Sequence, residues 1–167
     1  MNRKKICFPA IASVAFLLLF AACRKEQKFS EIPYIEFVSL TKADPSTGMD
    51  VLLTFNFQDG DGDIGLDDYD IEPPYDTSSI FHYNCFIDYY EKQNGEFVKV
   101  DLPATMNVRI PRLSYKEVES IEGTLYISLY ANNPFSPYDT IKYTVTIVDR
   151  ALNYSNTIST SEYIVNK

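Results

Sequence analysis

Asp50-Val51-Leu52-Leu53-Thr54-Phe55-Asn56-Phe57-Gln58 is the stretch on which the fold turns. Val51, Leu53, Phe55 and Phe57 fall on one side of an extended chain, and Leu52, Thr54, Asn56 and Gln58 on the other. A period of two specifies a strand with one buried face. The flanking chain repeats the theme. Residues 34–40 predict a preceding strand. Residues 83–91 and 96–100 flank Asn94-Gly95, a dipeptide suited to a two-residue hairpin turn. Residues 107–110 predict a short edge segment ended by Pro111. Residues 124–130 alternate again, with Leu125, Ile127 and Leu129 inward, and 141–149 and 157–165 predict the last two strands. Ser114-Tyr115-Lys116-Glu117 has capping-box spacing, which predicts one or two helical turns. The expected fold is all-β: an antiparallel sandwich of seven or eight strands, immunoglobulin- or fibronectin-III-like. Another Greek-key sandwich or a small barrel is the competing architecture.

Ahead of this domain the chain changes character. Arg3-Lys4-Lys5 is basic, residues 6–20 are almost wholly apolar, and Ala21-Ala22 precede Cys23 and the charged run Arg24-Lys25-Glu26. A basic start, a short apolar region and small residues at the cut describe a secretory signal. The apolar run is shorter than the ~20 residues of a spanning helix, and Pro9 interrupts it. Phe20-Ala21-Ala22-Cys23 resembles the lipobox of bacterial lipoproteins, with Phe20 where that family prefers leucine. The resemblance implies cleavage before Cys23 and covalent lipid on its thiol. Residues 1–22 are therefore expected to be a lipoprotein signal peptide, 23–32 the lipidated cysteine and tether, and 33–167 the β-sandwich. Several acyl chains together give stable anchoring. In lipoproteins that stay at the inner membrane an aspartate often follows the cysteine; Arg24 stands there, which points to the outer membrane.

Composition narrows the partners. The chain carries 15 Lys+Arg against 23 Asp+Glu, a net charge of −8. Loss of residues 1–22 removes three basic residues and no acid, leaving a net of −11. A surface this acidic argues against nucleic acid and against electrostatic docking on anionic lipid. Of three cysteines, Cys7 leaves with the signal and Cys23 carries lipid, so Cys85 remains alone and no intramolecular disulfide can form. Its aromatic-rich strand pattern marks it as a small core residue.

The segment with the most chemistry follows the first-quoted strand: Phe57-Gln58-Asp59-Gly60-Asp61-Gly62-Asp63-Ile64-Gly65-Leu66-Asp67-Asp68. Aspartates at alternate positions with glycines between them suit Ca²⁺, which takes six to eight oxygens. Glycine lets the backbone curl until the carboxylates converge. Asp59, Asp61, Asp63 and Asp67 are the expected side-chain ligands, and Gly65 offers its carbonyl. The spacing matches the first five positions of an EF-hand loop and then departs. Ile64 stands where glycine is required, and the twelfth position is Asp70, not glutamate. A calcium loop on a β scaffold is the expectation; a solvated acidic turn is the alternative. In an immunoglobulin-like sandwich the loop after the second strand and the final hairpin share one end, which would bring Asp149 and Asn153 to the acidic loop. The connection 69–81 is long enough to be functional or disordered.

Residues 143–156 resemble the final hairpin of fibronectin-type and bacterial immunoglobulin-like modules, which end in Asp-Arg-Ala-Gly-Asn-x-Ser-Asn. Leu152 replaces that glycine, and Asn153 is the neighbour that tolerates a left-handed conformation. Tyr143 is read either as a tyrosine corner or as an ordinary strand residue. The whole arrangement resembles a group of Bacteroidetes-type envelope lipoproteins that share a lipidated cysteine and a Phe-x-Asp-Gly-Asp-Gly-Asp-Ile-Gly stretch. They also share Arg-Ile-Pro and Asp-Arg-Ala motifs, here at 109–111 and 149–151. The resemblance implies an envelope location and no particular activity.

Enzyme signatures are missing. His82 is the only histidine, no zinc-binding cluster is present, and neither a Gly-x-Ser-x-Gly elbow nor a phosphate-binding glycine loop occurs. The expectation is a non-enzymatic, lipid-anchored structural or binding module stabilised by calcium, with a protein or glycan partner. A glycan-capturing lipoprotein using Tyr89, Tyr90, Tyr126, Tyr130 and Tyr154 is the second reading. A hydrolase using the loop carboxylates is the third.

Overall fold

The computed structural model describes residues 29–115 and 119–167. Cys23, the signal segment and most of the tether lie outside the described residues, as do three of the residues on which the helical turn after Ser114 was expected. Among the described residues there are eight strands: β1 (Tyr34–Lys42), β2 (Val51–Asp59), β3 (Cys85–Gln93), β4 (Glu96–Lys99), β5 (Ile121–Leu129), β6 (Thr140–Ile147), β7 (Ile158–Ser159) and β8 (Tyr163–Ile164). They form two antiparallel sheets, β1-β2-β5 and β4-β3-β6-β7, with β8 also pairing to β6. Helix is limited to two single 3₁₀ turns, Pro45–Thr47 and Ile80–His82, and no helix among the described residues is long and apolar enough to cross a membrane. This is the immunoglobulin-like sandwich expected from the period-two pattern.

The first-quoted strand is the centre of its sheet. β2 pairs β1 on one side and β5 on the other along its whole length. Val51, Leu53, Phe55 and Phe57 are buried, and Asn56 is exposed. Leu129 and Ile127 of β5 meet Ile141, Tyr143 and Val145 of β6 in the same core. Phe57 sets the composition of its neighbour, because a Cβ on Gly123 would lie 2.9 Å from the Phe57 ring. The Asn94-Gly95 turn has φ of 53° and 93°, so both residues are left-handed, as a type I′ hairpin requires.

Most strands shift by one to three residues from the expected bounds, β5 to Ile121–Leu129 and β6 to Thr140–Ile147 among them, and two of the departures have a visible cause. The final strand is broken into β7 and β8 because Thr160 interrupts the ladder: its hydroxyl accepts from Tyr143 N at 3.0 Å and donates to the Ser161 carbonyl. β3 starts at Cys85, not at 83, because the Asn84 side chain takes both backbone bonds of Ile110, at 3.1 and 2.6 Å. That contact and the bridge Cys85–Val108 are what become of the expected 107–110 edge segment. Cys85 is fully buried, and burial pushes its thiol up to about 12, so it is a core residue and no nucleophile.

With no disulfide among the described residues, two tyrosines tie the β5–β6 connection to the core. Tyr143 donates its hydroxyl to the Tyr130 carbonyl at 2.7 Å, and Tyr89 donates to the Ala131 carbonyl at 3.1 Å; their rings meet edge to face at 5.8 Å. Tyr143→Phe removes the first of these bonds while keeping the ring. It should cost about 1–2 kcal/mol, read as a lowered denaturation midpoint; an unchanged midpoint would show that the hydroxyl contributes nothing.

Candidate metal centre

The acidic segment begins where β2 ends. Asp59 is the last β2 residue and is 0 % exposed. The chain then has to thread between two other backbones. A Cβ on Gly62 would sit 2.3 Å from the Glu119 carbonyl oxygen, and one on Gly65 would sit 2.2 Å from that of Pro111. Their φ values, 75° and 102°, are also left-handed. Glycine is therefore required at both positions for space and for conformation. Ile64 and Leu66 anchor the segment, buried at 0 % and 3 % exposure. Leu66 N donates to the Ile110 carbonyl, and Leu113 N to that of Ile64. Ile64, which breaks the EF-hand pattern, is here a core plug.

This path aims carboxylates at one point. One oxygen each from Asp59, Asp63 and Asp149 lies within 4.8 Å of the others. Asp149, 2 % exposed, arrives from the turn after β6. That turn is held against the loop, since Ala151 N donates to Asp63 Oδ2 at 3.1 Å. Asp63 N in turn donates to Asp59 Oδ2 at 2.9 Å. Asn153 is the partner of Asp149, donating its backbone N–H at 2.7 Å and its side-chain amide at 2.9 Å. After these bonds Asp59 Oδ1, Asp61 Oδ1 and Asp63 Oδ1 remain buried without a hydrogen-bond partner. Asp61 stands close enough to act on the charge of both Asp59 and Asp63.

Charge decides what the site can do. Burial, reinforced by the neighbouring Asp61 and Asp63 charges, pushes the Asp59 carboxyl up to about 7. Burial and the charge of Asp149 push Asp63 up to about 6, and burial also raises Asp149. Each ionised pair at such spacing repels by at least about 3 kcal/mol at an effective dielectric near 20. No lysine or arginine among the described residues pairs with these four aspartates. A buried, all-oxygen cluster with unused lone pairs can hold a metal ion, and the donor set suits a hard cation.

The second half of the segment behaves otherwise. Asp67, an expected ligand, turns away: Arg112 donates to its Oδ2 at 3.2 Å and the Tyr115 hydroxyl to its Oδ1 at 2.8 Å. Asp70 forms a two-bond ion pair with Arg150, which holds its carboxyl below the usual range. Arg109 donates to the carbonyls of Asp67, Asp70 and His82. Gly65 is spent on the close approach to Pro111. The expected set is thus divided. Asp59, Asp61 and Asp63 keep unused oxygens, Asp149 joins two of them, Asn153 supports Asp149, and Asp67 belongs to an arginine cluster. Sequence reasoning missed those three arginines, although Arg109 and Arg150 lie in motifs already singled out.

The tyrosines do not gather into one platform. Tyr89 is buried, while Tyr126 in β5, Tyr130 directly after it and Tyr154 after β6 are exposed. Tyr154 stacks on Phe86 at 6.3 Å instead. No protein-family model, no curated protein and no solved structure matches the chain. The site is therefore read from its own geometry.

The raised carboxyls make a pH prediction. Asp59 and Asp63 titrate near 7 and 6 in the folded, metal-free state against about 3.9 when unfolded. The folded state thus binds more protons, and the associated stability is fully present below about pH 4 and is lost progressively as pH rises to about 7. In chelator, the melting temperature should fall between pH 5 and pH 8. A flat or rising profile there would contradict the clustered geometry.

Proposed function

We propose that this chain is a lipid-anchored envelope module, non-enzymatic, whose β-sandwich is stabilised by calcium bound at Asp59, Asp61, Asp63 and Asp149. The observation that carries the metal reading is the set of buried carboxylate oxygens, on Asp59, Asp61 and Asp63, that no donor satisfies. A buried polar atom without a partner costs roughly 1–3 kcal/mol, and more when charged; a divalent cation among Asp59, Asp63 and Asp149 would offset that cost and their repulsion, with Asp61 beside it. Calcium fits better than zinc, because the cluster offers oxygen and neither sulfur nor imidazole. It also fits better than magnesium, which demands regular octahedral geometry and keeps its waters. The lipid anchor rests on Ala21-Ala22-Cys23 and the apolar run before it. Outside the cytoplasm free calcium is plentiful enough to fill a modest site. The proposed role is mechanical or binding: a stiffened domain end held near a membrane, presenting a protein or glycan partner with a defined surface.

Titration of the full chain with Ca²⁺ should raise its melting temperature. At a hundredfold excess over Kd the stabilisation is about 2.7 kcal/mol, a shift of roughly 10 °C for a domain of this size. Asp59→Asn, equal in shape but uncharged, should melt at least as high as the parent in chelator and lose the calcium shift. Absence of a shift in the parent, or a full shift in the variant, would overturn the site.

Cys23→Ala should abolish fatty-acid labelling and release the protein from the membrane fraction. Labelling that persists undiminished would remove the anchor from the reading.

A further inference from the structure

The turn that supplies Asp149 to the metal centre also grips the long connection between β2 and β3. Two links join it to that segment. Arg150, next to Asp149, ion-pairs with Asp70 through both guanidinium nitrogens. The Arg150 carbonyl accepts the Tyr75 hydroxyl, and its guanidinium lies 5.8 Å from the Tyr75 ring centre. The two ends of the connection have further ties. Arg109 holds the carbonyls of Asp67, Asp70 and His82, and Leu66 is bridged to Pro111.

The middle is different. Across residues 71–79, Tyr75 makes the one hydrogen bond that reaches the rest of the domain among the described residues; the other bonds there are local turns such as Tyr75 N to Glu72 O and Ser79 N to Asp76 O. Burial adds little, because Ile71 is 66 % exposed and Tyr69 beside it 92 %. A segment with few buried apolar contacts opens at low free energy. Its placement therefore depends on where Arg150 sits.

Arg150 sits where the 149–153 turn sits, and that turn is under electrostatic load. Asp149 faces Asp63 and Asp59, and Asp59 Oδ1 is wholly buried with no partner. Without a cation the turn and the 59–63 loop repel; with one they are drawn together. The Ala151 N–H to Asp63 bond makes the same junction directly.

We propose that cation occupancy of the Asp59–Asp63–Asp149 centre controls whether residues 71–79 are held against the domain, through the 149–153 turn and the Tyr75–Arg150 contact. The inference rests on the metal reading above and adds a regulated element to it. The bound cation fixes Asp149, Asp149 fixes Arg150, and Arg150 fixes Tyr75. Calcium then switches the order of one surface segment and leaves the sandwich intact.

Amide hydrogen exchange of the full chain, with Ca²⁺ and with chelator, tests this. Exchange across 71–79 should speed up roughly tenfold in chelator while β3 and β6 stay protected. Tyr75→Phe lies outside the metal centre. It should exchange fast across 71–79 in both conditions, and by reciprocity its Ca²⁺ affinity by calorimetry should fall by the same factor of roughly ten, with a binding heat still present. Calorimetry without a binding heat and without a melting shift would overturn the metal reading itself. Calcium binding that leaves 71–79 unchanged would overturn the switch alone. Equal loss of protection in β3 and β6 would overturn it too, since the response would then be global unfolding. A Tyr75→Phe chain that keeps the calcium-dependent protection would show that the clasp is not the link.

Discussion

Like charges held together in a protein interior must be neutralised, and in this molecule they stand between the two sheets. Asp59 closes β2 in one sheet, and Asp149 follows β6 in the other. Both are almost wholly buried. Ionised together with Asp63 they repel each other, so whatever removes that repulsion favours the contact between the two sheets at this end. Proton uptake does so as pH falls through about 7 at Asp59 and about 6 at Asp63. A divalent cation does so at neutral pH and adds coordination bonds. The described residues hold one free, buried cysteine and no disulfide. Among the described residues the link between the sheets at this end is electrostatic and not covalent.

The closing motif shows how local sequence serves that junction. Ser155 accepts from Ile147 N through its hydroxyl and returns a backbone N–H to the Ile147 carbonyl, which fastens the hairpin to β6. Asn156 reaches the opposite sheet, taking both backbone groups of Ile35 at 2.8 Å. Asn153 orients Asp149. Each polar residue of the motif thus joins the turn to a different neighbour. The left-handed position falls on Leu152, with φ of 66°, and not on Asn153. A leucine there costs about 1–2 kcal/mol of backbone strain relative to glycine. Asn153 is committed to Asp149, so the strain is moved one residue back.

Much of this was legible in the chain because its causes are local. The alternation of 51–57 depends only on the two-residue period of a strand, and Asn94-Gly95 depends only on left-handed tolerance. The meeting of Asp149 with the acidic loop followed from topology, which places both loops at one end of the sandwich. What stayed hidden depends on partners distant in sequence. Asp67 looks like its neighbours, yet Arg112 and Tyr115, at separations of 45 and 48 residues, turn it outward. The break in the last strand depends on which backbone group the Thr160 hydroxyl meets, and alternation cannot report that.

The division of the acidic segment argues for a ligand more strongly than its aspartate count does. Solvated turns accumulate aspartate with no consequence, so the number of acids discriminates poorly. Here the arginines are distributed unevenly. The guanidinium groups of Arg109, Arg112 and Arg150 all serve residues 67–70, while among the described residues none reaches the almost wholly buried Asp59 and Asp149 or the buried Oδ1 atoms of Asp61 and Asp63. Burial raises the cost of an unpaired charge, so counter-charges would be expected at the buried half first. The opposite arrangement is observed. Guanidinium groups fill the half near solvent, where they can reach backbone carbonyls, and the buried half keeps space and lone pairs. That pattern is consistent with a site whose counter-charge comes from outside the chain, and it explains why Arg150 can report on the site without belonging to it.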